Sequence, residues 1–438
     1  MLVRQDKVGL VKKLNKKIIK PVIQVNGTIS LPGSKSITNR ILLMAALSNG
    51  KTTINNYLES DDTSYMLGAL KELGVEFRDT GNSLIINGIN HKFPVLRSKL
   101  FLGNAGTAFR PLTAVLAMMG GDYEISGIDR MHERPIKDLV NGLEQIGAKI
   151  NYLGASGFPP LKILPSNITY KSPIKINGSV SSQFLTALLM ACPLANQDLI
   201  IKVNGDLISK PYINITLKLL ERFGVQYKNL NWQTFQLSHG SRYKSSGEIS
   251  VEGDASSASY FFAAAAILGK IEVNGINATS IQGDLNFLKV IDRMGAKIEY
   301  LKNSVKVTRQ YDLKGLDIDC KDIPDAAMTL AVMAIFAKGK TILRNIGSWR
   351  VKETDRIYAM QTELKKLGAH VASTDDSISI SPPNIINNNI EIDTYNDHRI
   401  AMCFSLVALA NKTIVINDPE CVNKTYPNFF KDFDAVTS

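Results

Sequence analysis

The sequence predicts an α/β protein built from six copies of one structural unit, and two repeating patterns support this prediction. A helix-like run that ends in glycine and leads into a short strand occurs five times, at a spacing of roughly 70 residues. The five glycines are Gly74, Gly147, Gly224, Gly295 and Gly368. An apolar β run recurs with the same period and ends at Asn56, Gly127, Asn204, Asn274, Asn345 and Asn417. Six units therefore fill the chain, and we expect equivalent loops to lie on one face.

Each glycine occupies the position where a helix commonly ends in left-handed backbone, which predicts a helix before it and a strand after it. Each of the six units also contains an earlier helix that is rich in Ala, Leu and Met. Such helices have little polar face and are predicted to be buried. Their ranges are 36–47, 107–118, 182–190, 256–268, 326–336 and 399–409.

Short polar residues precede these six helices and are predicted N-caps. They are Ser34, Asn104, Ser181, Asp254, Asp325 and Asp397. An uncovered helix N-terminus can bind an anion, although an ordinary cap is the simpler interpretation of any single one. Six in register would bring several N-termini together.

Composition and length exclude several classes of protein. The 438 residues are 45% hydrophobic and 21% charged, which is typical of a globular protein of two or more domains. No apolar stretch is long enough for a membrane span. Residues 1–20 contain six lysines and do not resemble a secretory signal. We expect a disordered or loosely attached extension there, with an organelle transit peptide as the weaker alternative.

Cysteine and histidine spacing predicts no metal site. The four cysteines show no CxxC pattern, and the five histidines form no HxxxH pair. Cys192 and Cys403 lie in apolar helices and are predicted core residues. A reducing, cytoplasmic setting follows from this usage.

The formal net charge of +11 indicates an anionic partner, either nucleic acid or a small, highly charged metabolite. Nucleic-acid binding is typical of basic runs interleaved with aromatic residues. Here the lysines are spread out and only 7% of residues are aromatic, so a small anion is favoured.

Polar clusters in the predicted loops supply candidate site residues. The first, LPGSKSITNR, places Lys35 and Arg40 at a helix start and has the ingredients of a phosphate loop without its spacing. The second, LGNAGTAFRP, contains small residues that let a ligand approach the backbone near Gly106. A tight turn explains the second cluster equally well.

Two further clusters belong to the next units. Arg130 and Arg134 are four apart and can share a helical face, although Arg134 is expected to be extended before Pro135. Exposed arginines are the alternative. The serines and amides of SVSSQ, with the later SKPY segment, suit a polyol or phosphate, but helix capping also explains the serines.

The densest cluster is WRVKETDR. Lys352 and Arg356 stand at i and i+4 and can project together from one helix. Glu353 lies between them and could serve as an acid or base. The usual alternative is a solvated helix start. The sixth polar cluster, YNDHR, and Lys424 in the C-terminal loop make that alternative weaker.

From about Lys20 onward these clusters, in this order, resemble the 5-enolpyruvylshikimate-3-phosphate (EPSP) synthase family of enolpyruvyl transferases. The motifs are LPGSKS, LGNAGTAFRPL, SVSSQFLTALLM, GDASSASY, IPDAAM, WRVKETDR and YNDHR. The resemblance implies two similar globular domains of three βαβαββ repeats each, an inside-out α/β barrel. It places residues 1–34 and 252–438 in the first domain and residues 35–251 in an inserted second domain. The active site would lie in the cleft between them.

The resemblance also implies a reaction. The enolpyruvyl group of phosphoenolpyruvate is transferred to the 5-hydroxyl of shikimate 3-phosphate by addition and elimination through a tetrahedral intermediate, with release of phosphate. This step belongs to chorismate and aromatic amino acid biosynthesis. The reaction needs no metal or organic cofactor. The resemblance further implies a cytoplasmic monomer that acts on small anionic substrates and has no nucleic-acid or membrane partner. It also implies a binding site for glyphosate.

Site residues follow from the same resemblance. Asp325 would be the base near the 5-hydroxyl, and Glu353 would exchange protons with the methylene carbon of phosphoenolpyruvate. The implied catalytic residues are Lys35, Asp325, Lys352 and Glu353. Shikimate 3-phosphate would be bound by Lys35, Ser36, Arg40, Ser181, Ser182, Gln183, Ser209, Tyr212, Asp325, Ser348 and Lys352. Phosphoenolpyruvate would be bound by Lys35, Asn104, Gly106, Thr107, Arg134, Gln183, Arg356, Arg399 and Lys424.

Two positions depart from the family pattern, and two rival interpretations remain. Ser348 stands where Asn is common, which affects one hydrogen bond to shikimate 3-phosphate. Phe109 stands where Met is common and is expected to be a packing position. One rival is the related transferase that acts on a UDP-sugar, against which SVSSQ, WRVKETDR and YNDHR argue. The other is a polyanion-binding scaffold without catalysis, which leaves Asp325 and the Lys352–Glu353 pair unexplained.

Overall fold

The computed structural model describes residues 15–81, 83–195, 197–238 and 240–438. Among these residues the α-helices are α1 Lys35–Leu47, α2 Asp61–Glu72, α3 Gly106–Met119, α4 Asp129–His132, α5 Lys137–Glu144, α6 Ser182–Ala191, α7 Lys210–Arg222, α8 Ala255–Leu268, α9 Phe287–Met294, α10 Ala327–Met333, α11 Arg356–Lys366, α12 His398–Ser405 and α13 Phe429–Val436. Short 3₁₀ helices are Cys192–Leu194, Gly283–Asn286, Ala334–Phe336, Gly347–Val351, Leu406–Ala410 and Pro419–Lys424.

The strands alternate with these helices along the chain. They are β1 Lys16–Ile19, β2 Val25–Ser30, β3 Lys51–Asn55, β4 Glu76–Asp79, β5 Ser83–Asn87, β6 Arg97–Phe101, β7 Asp122–Ser126, β8 Lys149–Tyr152, β9 Leu161–Leu164, β10 Ile174–Asn177, β11 Leu199–Asn204, β12 Tyr227–Leu230, β13 Thr234–Leu237, β14 Glu248–Ser250, β15 Gly269–Asn274, β16 Ala296–Tyr300, β17 Ser304–Arg309, β18 Asp317–Asp319, β19 Thr341–Arg344, β20 His370–Ser373, β21 Ile378–Ser381, β22 Ile390–Ile392 and β23 Ile414–Asn417.

Six small sheets confirm the six predicted units within the described residues. Five sheets have four strands, in the orders β14-β3-β5-β4, β6-β7-β9-β8, β10-β11-β13-β12, β16-β17-β15-β2 and β18-β19-β21-β20. Each of the five has one parallel pair and two antiparallel pairs, as a βαβαββ unit requires. The sixth sheet has the order β1-β23-β22. In many strands, such as β9, buried and partly exposed residues alternate, because one face of the sheet packs on the buried helices.

Two sheets exchange their first strands where the chain crosses itself. β2 lies directly before α1 in the sequence, yet it pairs in parallel with β15, and β14 pairs in parallel with β3. The crossing segments contact each other through a bridge between Gly33 and Gly253 and through a 2.8 Å bond from Ser34 N–H to the Glu252 carbonyl. A Cβ at Gly33 would lie 2.0 Å from the Asn56 carbonyl oxygen, so this approach requires glycine.

Buried apolar side chains form two separate cores. One core takes its residues from the segments 19–31 and 258–436, and the other takes them from residues 37–251. Phe109 is fully buried in the second core, which confirms it as a packing position. All four cysteines are buried free thiols, and burial raises the pKa of Cys192 and Cys403 to about 12.

The six apolar helices are buried as predicted, with some differences at their ends. α8 is buried along Ala255–Ile267 because it is apolar on all sides. The predicted helices 326–336 and 399–409 each split into an α-helix and a following 3₁₀ helix. Ser181, Asp254 and Asp397 accept hydrogen bonds from backbone N–H groups of the first turn, as N-caps should.

Of the other three N-cap predictions, one is confirmed in position only and two are wrong. Ser34 is at the N-cap position without a side-chain bond. Ala105 and Ala326, not Asn104 and Asp325, occupy the N-cap positions of α3 and α10, because both polar side chains bond to arginines instead.

The five glycine stops are confirmed, because Gly74, Gly147, Gly224, Gly295 and Gly368 all have φ between 75° and 121°.

The prediction of a loosely attached segment 1–20 is wrong for its last part. β1 pairs antiparallel with β23, and Lys16 Nζ lies 2.7 Å from the Glu391 carboxylate. Apolar side chains explain this, since Ile19 is 3% exposed and joins the first core. Residues 1–14 and His239 lie outside the described residues. Among the described helices, none has both the length and the apolar character that crossing a membrane requires.

Candidate active site

The polar clusters meet at one cavity between the two cores. Four of the six buried helices, α1, α3, α6 and α12, place residues of their first turn in its wall. The wall is formed by Lys35, Ser36, Arg40, Thr107, Arg110, Arg134, Pro135, Val180, Ser181, Ser182, Gln183, Phe184, Ile208, Ser209, Tyr212, Asp325, Ser348, Val351, Lys352, Glu353 and Arg399. The repeat therefore brings several helix N-termini to one place, where an anion would be stabilised.

One side of the cavity is formed by hydroxyl groups around a buried arginine. Arg40 is 3% exposed and donates from Nε to Thr216 Oγ1 at 2.8 Å and from Nη1 to the Ser36 carbonyl at 2.8 Å. Among the described residues no carboxylate lies within ion-pair distance of Arg40. Burial lowers the pKa of Arg40 to about 10, and no carboxylate nearby among the described residues offsets that effect.

Lys35 and Lys424 share a single buried carboxylate. Lys424 Nζ lies 2.5 Å from Asp62 Oδ1, and Lys35 Nζ lies 3.3 Å from Asp62 Oδ2. Lys424 also donates to the Asn104 carbonyl at 2.9 Å. Burial lowers the pKa of Lys424, although Asp62 and Glu353 oppose that shift. Lys424 is thereby held next to the N-terminal ends of α1 and α3.

Asp325 stands among three cations. Its Oδ1 lies 2.9 Å from Arg356 Nη1 and 3.6 Å from Lys352 Nζ, and its Oδ2 lies 3.1 Å from Arg399 Nη2. Burial alone would raise the pKa of Asp325, but these cations together hold it well below its usual range. Asp325 is therefore ionised in this arrangement and can accept hydrogen bonds.

Glu353 lies next to the same arginine. Its Oε2 accepts from Arg356 Nη2 at 2.9 Å, and Arg356 Nε donates to Asp397 Oδ2 at 2.7 Å. Burial opposes the ionisation of Glu353, yet the charges of Arg356, Arg134 and Lys424 hold its pKa well below its usual range. Arg356 is 1% exposed and joins three carboxylates, so it orders the acidic side chains of the cavity.

Small residues bring α3 close to two arginines. Arg134 Nη1 donates to Asn104 Oδ1 at 2.8 Å. A Cβ at Gly106 would lie 2.9 Å from Arg134 Nη2 and 3.0 Å from both Arg110 Nη1 and Gln183 Oε1. Glycine at this position therefore lets three polar side chains converge.

The structure places most of the predicted site residues in the cavity wall, and the remainder directly behind it. Those outside the wall are Asn104, Gly106, Arg356 and Lys424. Each is close to a wall residue or supports one: Asn104, Gly106 and Arg356 contact or approach Arg134, Gln183, Asp325 or Glu353, and Lys424 shares Asp62 with Lys35.

A model of the family described as EPSP synthase (3-phosphoshikimate 1-carboxyvinyltransferase) matches residues 19–433. The chain belongs to the EPSP synthase family. A protein of Paraburkholderia phymatum named 3-phosphoshikimate 1-carboxyvinyltransferase is 54% identical over 425 residues, which is 95% of this chain and 98% of that protein. One of the same name from Cupriavidus necator is 54% identical over 426 residues, with the same coverage. The solved EPSP synthase of Acinetobacter baumannii has a TM-score of 0.80 at 25% identity, covering 96% of this chain and 98% of that one.

Within this EPSP synthase fold, two spacing arguments proved wrong. Lys352 and Arg356 do not share a helical face, because Lys352 follows the 3₁₀ helix in extended backbone and Arg356 is the first residue of α11. They converge on Asp325 from different elements. Arg130 and Arg134 also diverge: Arg130 donates to the Lys352 and Glu353 carbonyls at 2.9 and 3.1 Å, and Arg134 faces Asn104.

Three residues close to this EPSP synthase cavity were missed by the sequence interpretation. Arg110 is 3% exposed, and its presence in an otherwise apolar helix was an available signal. Asp62 resembles one of the ordinary acidic residues in the first turn of a helix. Asp284 lies in an unremarkable QGD segment and contacts Tyr212.

Proposed function

We propose that this chain transfers the enolpyruvyl group of phosphoenolpyruvate to the 5-hydroxyl of shikimate 3-phosphate and releases phosphate. One observation carries the proposal: the cavity wall contains six lysines and arginines and only two carboxylates. The cations are Lys35, Arg40, Arg110, Arg134, Lys352 and Arg399. Fixed positive charges in a buried cleft offset the repulsion between two multiply charged anions held next to each other.

The hydroxyl-rich side suits shikimate 3-phosphate. Arg40 would provide its uncompensated charge to the phosphate ester, with the hydroxyl and amide groups of Ser36, Ser181, Ser182, Gln183 and Ser209 around it. Tyr212, Ser348 and Lys352 would contact the ring side. A buried cation without an acidic partner gains most from an anionic ligand, which supports this orientation.

The opposite side suits phosphoenolpyruvate. Lys35, Arg134 and Arg399 would contact its phosphate and carboxylate, with Thr107 and Gln183 beside them. Gly106 would leave room for the ligand, and Asn104, Arg356 and Lys424 would hold the contacting groups in place.

Two carboxylates can then carry the protons. In the addition step the 5-oxygen bonds to C2 of phosphoenolpyruvate, Asp325 takes the hydroxyl proton, and Glu353 gives a proton to the methylene carbon. In the elimination step the C2–phosphate bond breaks and that carbon returns a proton to Glu353. The pKa of Glu353 is low among its cations, and the negative charge of bound phosphoenolpyruvate would raise it toward the protonated form.

We also propose that residues 1–34 and 252–438 form one domain, that residues 35–251 form the other, and that the substrates bind in the cleft between them. The two separate cores support these boundaries. The enzyme would work as a monomer in the cytoplasm on small anions, without a nucleic-acid or membrane partner. It would need no metal or organic cofactor, because the side chains supply both the charges and the proton transfers.

Phosphate release tests the proposal. Phosphate should appear only when phosphoenolpyruvate and shikimate 3-phosphate are both present, which omitting each in turn would reveal. Lys35→Met should abolish most turnover, because a charge-assisted contact is worth about 1.5–3 kcal/mol before any transition-state effect. Lys71→Met, at an exposed lysine of α2, is the matched control. Release with either substrate alone, or near-normal turnover by Lys35→Met, would contradict the proposal.

A further inference from the structure

One phenol hydroxyl joins two buried carboxyl groups. Tyr212 Oη lies 2.7 Å from Asp284 Oδ2 and 3.2 Å from Asp325 Oδ2. The Ser256 hydroxyl also contacts Asp284 Oδ2. A phenol has one proton, so Tyr212 can donate to only one of the two carboxylates at a time. The protonation of either carboxyl therefore determines the direction in which the phenol proton points.

The two carboxyl groups have opposite surroundings. Asp325 has the three cations described above, whereas the side-chain hydrogen bonds to Asp284 among the described residues come from the hydroxyl groups of Tyr212 and Ser256. Asp284 is 4% exposed, and in the described part of the chain its Oδ1 has no hydrogen-bond partner. Burial, with the charge of Asp325, raises the pKa of Asp284 to about 6, while the pKa of Asp325 stays well below its usual range. A proton shared by the pair is therefore more stable on Asp284.

We propose that Asp284 stores the proton of the 5-hydroxyl, which it receives from Asp325 through the hydroxyl of Tyr212. This inference rests on the function proposed above. As the substrate O–H bond breaks, its proton passes to Asp325, and Asp325 returns to its ionised form by giving a proton to Tyr212 Oη. The phenol proton moves at the same time to Asp284 Oδ2.

The proton balance closes at the end of the cycle. After the addition step, Tyr212 and Asp325 have regained their starting protonation, and the proton of the 5-hydroxyl is held in a new O–H bond on Asp284. When the C2–phosphate bond breaks, the stored proton returns by the same path and leaves with the released phosphate. Asp284 touches neither substrate in this scheme, so it is a positioning residue that acts through Tyr212 and Asp325.

The relay predicts a specific pH dependence. Asp284 must be ionised to accept a proton, so kcat should fall as the pH falls through about 6. The titratable and charged groups that face Asp284 are Tyr212 from α7, Asp325 from the turn before α10, and Arg399 from α12. Asp325 stays ionised over this pH range because its pKa is well below its usual value.

The experiment measures kcat at saturating substrates from about pH 5.5 to about pH 8.5 for three variants. Asp284→Asn keeps the side-chain shape but cannot take up a proton, and Tyr212→Phe removes only the hydroxyl. Each should lower kcat about 10- to 100-fold at the upper pH and abolish the fall near pH 6, and Asp284→Asn, which touches neither substrate, should change both KM values less than about threefold. The double variant should be no slower than the slower single variant, because both changes interrupt one path.

Several results would overturn the relay. A fall near pH 6 that persists in Asp284→Asn would belong to the phosphate groups of the substrates. Independent losses that multiply in the double variant would indicate separate structural roles. If Asp284→Asn fails to fold, the relay would be refuted by a Tyr212→Phe variant that keeps a high kcat and an unchanged pH profile. Absence of phosphate release by the wild-type protein would instead refute the proposed function, which keeps the two failures distinct.

Discussion

Asp62 provides a sharp test of the charge balance around the cavity. Its side chain is 1% exposed and contacts Lys424 Nζ at 2.5 Å and Lys35 Nζ at 3.3 Å. Asp62→Asn keeps the shape and one acceptor oxygen but removes the negative charge. Two buried ammonium groups would then lie close together with no carboxylate between them. We expect a less stable unliganded protein that gains more than the wild type from a bound anion.

The size of the effect follows from these contacts. Removing one partner of a buried ion pair costs about 3–5 kcal/mol. The asparagine oxygen can still accept a neutral hydrogen bond from Lys424, which is worth roughly 1 kcal/mol. A net loss of about 2–4 kcal/mol remains, which would lower the melting temperature by about 4–16 °C if the affected core unfolds as a unit of 150–250 residues.

Thermal melting with and without saturating phosphoenolpyruvate measures both parts. The difference between variant and wild type should be large without the ligand and should shrink with it, because the ligand restores the missing negative charge. Asp61→Asn, at the exposed neighbouring position of α2, is the control and should melt close to the wild type. Equal melting temperatures for Asp62→Asn and the wild type, or equal stabilisation of both by the ligand, would refute this account of Lys35 and Lys424.

Three further predictions concern proton transfer, space and motion. Glu353→Gln should lower kcat on the order of 100- to 10,000-fold with a smaller change in substrate binding, and the reverse pattern in single-turnover and binding measurements would make Glu353 a positioning residue. Gly106→Ala should raise the inhibition constant of glyphosate about 10- to 100-fold more than the KM of phosphoenolpyruvate, because the added methyl group would press on Arg134 and Gln183. Equal changes in the two constants would indicate that Gly106 is only a turn residue. Shikimate 3-phosphate should reduce the radius of gyration in X-ray scattering by drawing the halves together, and unchanged dimensions at saturation would count against closure.

Most of the fold could be predicted from local patterns in the sequence. The glycine stops and the apolar helices depend on neighbouring residues, so periodicity was sufficient to predict them. The N-caps of α3 and α10 were misplaced because Asn104 and Asp325 bond to arginines that are distant in sequence. The attachment of β1 was missed because its partner β23 lies at the other end of the chain.

The candidate site was predictable where its residues cluster in motifs, and not elsewhere. Lys35 and Glu353 stand in dense polar segments and were selected for that reason, whereas Asp325 was selected as a predicted N-cap and from the family resemblance. Asp62 bonds to Lys424 across 362 positions of sequence, and no local pattern records that contact. Asp284 resembles any loop aspartate until the fold places it against Tyr212. Residue type identified the cations, and only the three-dimensional arrangement identified their partners.

The pairing of β1 with β23 has a consequence for synthesis on the ribosome. Residues 35–251 are contiguous and contain every described strand of their three sheets, so we expect them to fold as soon as they emerge. β1 must wait for β23, made about 400 residues later, which takes roughly 20–80 s at common translation rates. During that interval β1 is an unpaired strand, and its lysines Lys16 and Lys17 oppose association with other nascent chains. The first of the described strands to be made is thus paired only after the last one has been made, and its charges oppose association until then.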